Sequence, residues 1–257
     1  MNAVRQTWGL VAIALGLYAL LRFYFGPFPQ DPAYHVLADT RRCGPIPRAG
    51  DVLTNLAILA AGITGIVLWR RAKIEADERP AFALLVISIV LTALGSAYYH
   101  WAPGDARLVW DRLPLAVTEM ALLVLVMADR IDIAFARAAW WPFALLGGGS
   151  VLWWLATGDL LLYLVVRVGA GVMIACLLLL RRGRHDGTAW LVTALVLDAV
   201  MTGCERMDYP IFAATGGIAS GHNLKHILAG VLLGCVIAWL VRRRRREQPY
   251  GPAIAVL

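Results

Sequence analysis

Eight apolar runs of near-spanning length dictate what this chain can become: Thr7–Phe25, Asp51–Trp69, Ala81–Tyr99, Asp111–Asp129, Ala138–Ala156, Leu160–Leu180, Thr188–Glu205 and His222–Val241. Each approaches the roughly 20 residues that a helix needs to cross the hydrocarbon core of a bilayer. In lipid every backbone N–H and C=O must be paired within the protein, so isolated runs of this kind are restricted to helices. Composition agrees. The 257 residues are 60% hydrophobic and 16% charged, whereas soluble domains are about 45–50% apolar and about 25% charged. The expectation is an all-α integral membrane protein.

Charge placement sets the expected topology. With eight spans both termini share one side. Fifteen of the 24 Lys and Arg fall on that side, among them Arg5, Arg70, Arg71, Lys73, Arg181, Arg182, Arg184 and the run Arg242 to Arg246. The opposite loops carry Arg41, Arg42, Arg48, Arg107 and Arg206. The positive-inside rule makes the terminal side cytoplasmic. The net charge of +7 thus reflects topology rather than nucleic-acid binding. The arginine run directly follows a span and reads as an anchor touching anionic lipid. Trp8, Trp69, Trp140, Trp141, Trp190 and Trp239 fall at inner span ends, and Trp101, Trp110, Trp153 and Trp154 at outer ends. They form two aromatic belts. The first run has no small-residue cleavage site after Arg22 to Phe28 and reads as a retained span. Short loops and the lack of organelle signals favour a bacterial inner membrane.

Four scattered cysteines, Cys43, Cys176, Cys204 and Cys235, give no thiolate metal site. Cys43 and Cys204 share the outer side. Pairing is open to them only if that side is oxidising, and unpaired thiols are the simpler reading. Residues 26–50 form the longest outer loop, broken by Pro and Gly, and a loop of that length often covers a site.

The histidines carry the chemistry. His222 and His226 lie four residues apart where the last run begins, so their imidazoles share one helix face. They either hold a common metal ion or merely hydrogen-bond at a helix end. His100 directly follows the third run, and the topology puts it in the same leaflet as that pair. Three histidines at one depth match a catalytic zinc site, which uses three protein ligands and keeps one position open. Ser96 precedes His100 by one turn. Asp111 opens the next run after a short connection, as a general base or as a helix cap beside Pro114. Asp51 and Asn55 share a face at the start of the second run. Asp51 reads as a cap, and Asn55 requires a hydrogen-bonding partner within the bundle.

Ser96-Ala97-Tyr98-Tyr99-His100, Asp111-Arg112-Leu113-Pro114 and Ser220-Gly221-His222-Asn223-Leu224-Lys225-His226, in that order, resemble the three motifs of the alkaline ceramidase family. Asp51-Val52-Leu53-Thr54-Asn55 resembles the start of its first core helix. That family belongs to a superfamily of seven-helix membrane hydrolases that includes the adiponectin-type receptors. The resemblance covers about residues 31–241. It implies an N-terminal transmembrane helix and outer loop over 1–50, a seven-transmembrane-helix core over 51–241, and a basic cytoplasmic tail over 242–257. It further implies zinc on His100, His222 and His226, water activation by Asp111, and Ser96 bonding the oxyanion or the water. The implied reaction converts a ceramide-like lipid in the membrane to a fatty acid and a sphingoid base. The calcium-binding acidic cluster of that family is thinned here to Asp31, Asp39 and Asp51, which argues against Ca²⁺ and leaves an ester or another lipid amide open as substrate.

Charges inside the spans need partners. Arg167 is expected to pair with Asp198. Glu205 and Lys225 read as supports of the site or as a headgroup contact. The alternative to the enzyme is a non-enzymatic zinc-bearing membrane protein, receptor-like or structural, with Asp111 as a fourth ligand.

Overall fold

The computed structural model describes residues 2–247, and the tail beyond residue 247 lies outside the described residues. Ten α-helices form: α1 (Ala3–Phe25), α2 (Ala49–Thr54), α3 (Leu56–Val67), α4 (Arg79–Trp101), α5 (Asp105–Arg130), α6 (Ala134–Thr157), α7 (Leu161–Leu180), α8 (Thr188–Arg206), α9 (Asp208–Ala214) and α10 (Gly221–Arg242). Among the described residues no strand forms. Six stretches are long and apolar enough to cross a membrane: Ala3–Phe25, Ala49–Val67, Ala76–Trp101, Leu161–Leu180, Thr188–Arg206 and Gly221–Arg242. They mark a multi-pass membrane protein.

The other two expected spans are full-length helices that fall outside this set. α5 carries seven charged residues, from Asp105 to Arg130, and α6 is diluted by four tryptophans, Pro142 and the triplet Gly147 to Gly149. The second run divides. At Asn55 the side-chain Nδ2 donates to the Asp51 carbonyl at 2.8 Å, taking the acceptor that a continuous helix gives to the Asn55 backbone amide. The partner of Asn55 therefore lies in its own helix rather than across the bundle. The short helix α9 lies in the connection between α8 and α10.

α3, α4, α5, α7, α8 and α10 close into a ring, each packed on the next. α6 lies outside it against α5 and α7, and α1 lies further out against α6 and α7. The apolar window of α1 has no buried residue, as befits a helix that faces lipid along most of its length. It is fastened by polar contacts near Asp159, which accepts from the Phe28 amide at 3.0 Å and the Tyr18 hydroxyl at 3.2 Å and pairs with Arg22 at 3.2 Å. Two tryptophans leave the expected belts. Trp154 and Trp239 are buried, each beneath an arginine, Arg112 and Arg243 respectively.

Candidate metal centre

The site is built at the shared end of α2, α4, α5, α8 and α10. Ser220 starts α10 with a reciprocal cap: its Oγ accepts from the Asn223 amide at 3.1 Å, and Asn223 Oδ1 accepts from the Ser220 amide at 3.0 Å. The remaining Asn223 amide group donates to Asp51 at 2.7 Å and ties α10 to α2. Asp208 fixes the next residue by accepting from the His222 amide at 2.8 Å. No side chain fits at Gly221, where a Cβ would lie 2.0 Å from the Cys204 carbonyl. These contacts place His222 and His226 one turn apart on the inward face of α10.

His100, the penultimate residue of α4, meets them there. The three rings lie 4.7–4.8 Å apart, centroid to centroid. His100 is 1% exposed, and His222 and His226 are each 4% exposed. One nitrogen from each lies within 4.8 Å of the other two, an arrangement that could hold a metal ion. Among the described residues no carboxylate joins this group.

The hydrogen bonds fix which nitrogens are free. The Thr54 hydroxyl donates its one proton to the Gly50 carbonyl at 2.7 Å, so its oxygen accepts from His226 Nδ1 at 3.0 Å. That tautomer leaves His226 Nε2 as a bare lone pair. His222 Nε2 faces His100 Nε2 at 3.2 Å. His100 Nδ1 is buried without a partner. If His100 carries its proton on Nε2, it donates to His222 and leaves Nδ1 an unsatisfied acceptor. If the proton is on Nδ1, a buried donor is unsatisfied, and with the His222 proton also on its Nδ1 two lone pairs face each other. Neither tautomer satisfies the pair, and in the second a cation between the Nε2 atoms would take up both lone pairs while His100 Nδ1 stays without a partner. The 3.2 Å separation is close to the roughly 3.3 Å edge of a tetrahedron with metal–nitrogen legs of about 2.0–2.1 Å. The residues fit a metal.

Asp111 departs from its expected place. α5 begins at Asp105 with Gly104 as its cap, so Asp111 is the seventh residue of the helix and caps nothing, and Pro114 stands inside the helix. Pro114 has no N–H for the Trp110 carbonyl. That carbonyl abuts α4 at Gly95, where a Cβ would lie 1.9 Å from the Trp110 oxygen. The close crossing sets Ser96 beside the Asp111 carboxyl. Asp111 stays outside the histidine group.

Other groups complete the surroundings. Glu205 pairs with Lys225, and its Oε1 lies 3.9 Å from His222 Nδ1, a through-space contact rather than a hydrogen bond. Arg112 is buried against Tyr34, Trp154 and Tyr163 at 4.7–5.2 Å. The loop between α1 and α2 forms a wall. His35 reaches the Tyr99 hydroxyl at 3.0 Å and Asp105 at 3.1 Å. A pocket of about 300 Å³, lined by Tyr34, Leu37, Glu205 and Tyr209 among others, opens onto His222. Asp39 anchors the loop. Burial pushes its carboxyl up, but the bonds from Arg41 outweigh this and hold it below the ordinary carboxylate range.

One expected pairing fails. Arg167 bonds Glu119 of α5 at 3.0 Å, while Asp198 on α8 is exposed. Glu119 is the sole charge between Arg112 and Asp129, which is the sequence signal that marks it as a partner. Thr54 is a common residue type with no chemical signal of its own. Its position three residues after Asp51 on a helix that also carries Asn55 is the available signal.

Comparison of the chain with protein-family models, with curated proteins and with solved structures finds no match.

Proposed function

We propose that the chain is a zinc-dependent intramembrane hydrolase that cleaves the amide bond of a ceramide-like lipid to a fatty acid and a sphingoid base. In this reading residues 51–241 form a seven-helix core, Ala3–Phe25 is an added N-terminal span, and the loop charges put both termini in the cytoplasm. The observation that carries the reading is the trio of buried imidazoles without a carboxylate among them. Structural zinc sites are closed by four protein ligands, whereas catalytic ones hold three and keep a position free. Zinc held by His100, His222 and His226 would bring the pKa of a water to about 7 and polarise the scissile carbonyl.

The chain's own groups supply the rest. Asp111 takes the proton of the attacking water, and the water oxygen joins the carbonyl carbon. As the C–N bond breaks, Asp111 returns that proton to the departing nitrogen. Ser96 orients the Asp111 carboxyl. The Glu205–Lys225 pair and the pocket against Tyr34 receive the polar end of the lipid, while the apolar surroundings accept its chains.

The test is release of fatty acid from ceramides by detergent-purified protein. Asp111→Asn should lower turnover by about 10²–10⁴-fold, the usual worth of a general base, while its zinc content stays that of the wild type. Equal turnover by Asp111→Asn and the wild type would sink the mechanism.

A further inference from the structure

At the end of the bundle opposite the histidines, the arginine run does more than trail from a span. Arg244 to Arg246 fold back along Arg184 to Asp186. Asp186 N donates to the Arg244 carbonyl at 3.0 Å, Arg246 N donates to the Arg184 carbonyl at 2.8 Å, and His185 and Arg245 form an antiparallel bridge. On the other side Lys73 N donates to the Leu240 carbonyl at 2.8 Å, and Arg243 donates from Nε and Nη2 to the Lys73 carbonyl at 3.0 and 2.7 Å. Between these fixed strips of backbone lies a pocket of about 550 Å³, lined by Lys73, Glu75, His185, Arg243, Arg244 and Arg245 among others.

Its charge is unbalanced. Glu75 is engaged by Arg184 at 2.9 Å, and Glu78 by Arg243. Asp186 accepts from the Arg244 amide at 2.7 Å. Among the described residues the side chains of Lys73, Arg244 and Arg245 form no ion pair. Arg243 is 1% exposed, lines the pocket, and has a buried Nη1 without a partner. A helix C-terminus repels anions through its dipole. Here two of the last four carbonyls of α10 are engaged, that of Trp239 by the Arg243 amide and that of Leu240 by the Lys73 amide, which weakens that repulsion. Guanidinium groups arrayed with an ammonium suit a tetrahedral oxyanion, to which Arg presents paired donors.

We propose that this pocket binds a phosphate group, carried by a lipid headgroup or free in solution. The full chain would be purified in detergent. Binding of short-chain phosphatidylglycerol, with short-chain diacylglycerol as the phosphate-free comparator, is read by native mass spectrometry, and binding of sodium phosphate by calorimetry. Arg244→Gln/Arg245→Gln should weaken binding roughly tenfold or more, the scale of two lost surface charge contacts. Lys73→Gln should weaken it by a smaller factor. Arg70→Gln/Arg182→Gln removes the same charge from exposed positions at the same end and should leave binding unchanged. Selective loss for phosphatidylglycerol alone identifies a headgroup site, and selective loss for phosphate as well identifies a general phosphate site. Equal weakening by both double variants, or no binding of either probe to the wild type, overturns the proposal.

Discussion

Thr54 decides which nitrogen His226 presents, because its single hydroxyl proton is committed to the Gly50 carbonyl. Thr54→Val removes that acceptor and frees the imidazole to change tautomer. Zinc affinity should fall by about 10–100-fold, the usual effect of losing an orienting partner, and Thr54→Ser should restore it. A competition titration with a zinc-sensitive dye measures both. The histidines themselves were legible in the sequence, because a four-residue spacing on a helix and a position near a run boundary can be read without knowing how the helices pack. Thr54 was not, because its role depends on a contact with a residue far along the chain. Glu119 shows a different failure. Arg167 needed a counter-charge, and Asp198 was chosen at a depth inferred from run boundaries, while the helix rotation that turns Asp198 outward has no sequence signature of its own.

The contact between α4 and α5 is the element on which Ser96 and Asp111 depend. Gly95→Ala puts a methyl against the Trp110 carbonyl and should destabilise the protein by about 1–3 kcal/mol, as overpacking does. Turnover should fall further than the melting temperature alone explains. Gly149→Ala on α6, where nothing lies within 4 Å, should be neutral or slightly stabilising. The attachment of α1 carries a pH dependence. Burial raises the Asp159 carboxyl, but the Phe28 and Leu161 amides, Tyr18 and Arg22 outweigh it and hold it below its ordinary value. A carboxyl depressed on folding contributes stability that is fully present above its unfolded pKa, about 3.9, and is lost as pH falls through the lower folded value. Protection of the Phe28 amide from hydrogen exchange should therefore fall below about pH 4, and Asp159→Asn should lack that step. Helix boundaries were less legible than helix existence. α5 starts at Asp105 after its Gly104 cap, ahead of the apolar run at Asp111, because its polar first turns carry no hydropathy signal.

Across the whole molecule, eight runs of spanning length were visible, and each became helical, the second in two pieces, but which helices close the ring was not visible. α6 is as apolar in stretches as its neighbours, yet it packs outside, and nothing in its residues fixes that rank. What the sequence carried was depth: Arg and Trp placed the three histidines in one leaflet, and the folded chain brings them within 4.8 Å. The direct measurement is metal content of detergent-purified protein by inductively coupled plasma mass spectrometry, with His100→Ala, His222→Ala and His226→Ala beside the wild type, each first checked for a folded, monodisperse state. About one zinc per chain is expected in the wild type, the stoichiometry of a single three-histidine site, and a loss in every variant. No zinc in wild-type protein even after zinc supplementation, or full zinc retained in any of the three variants, would contradict a metal centre built from these histidines.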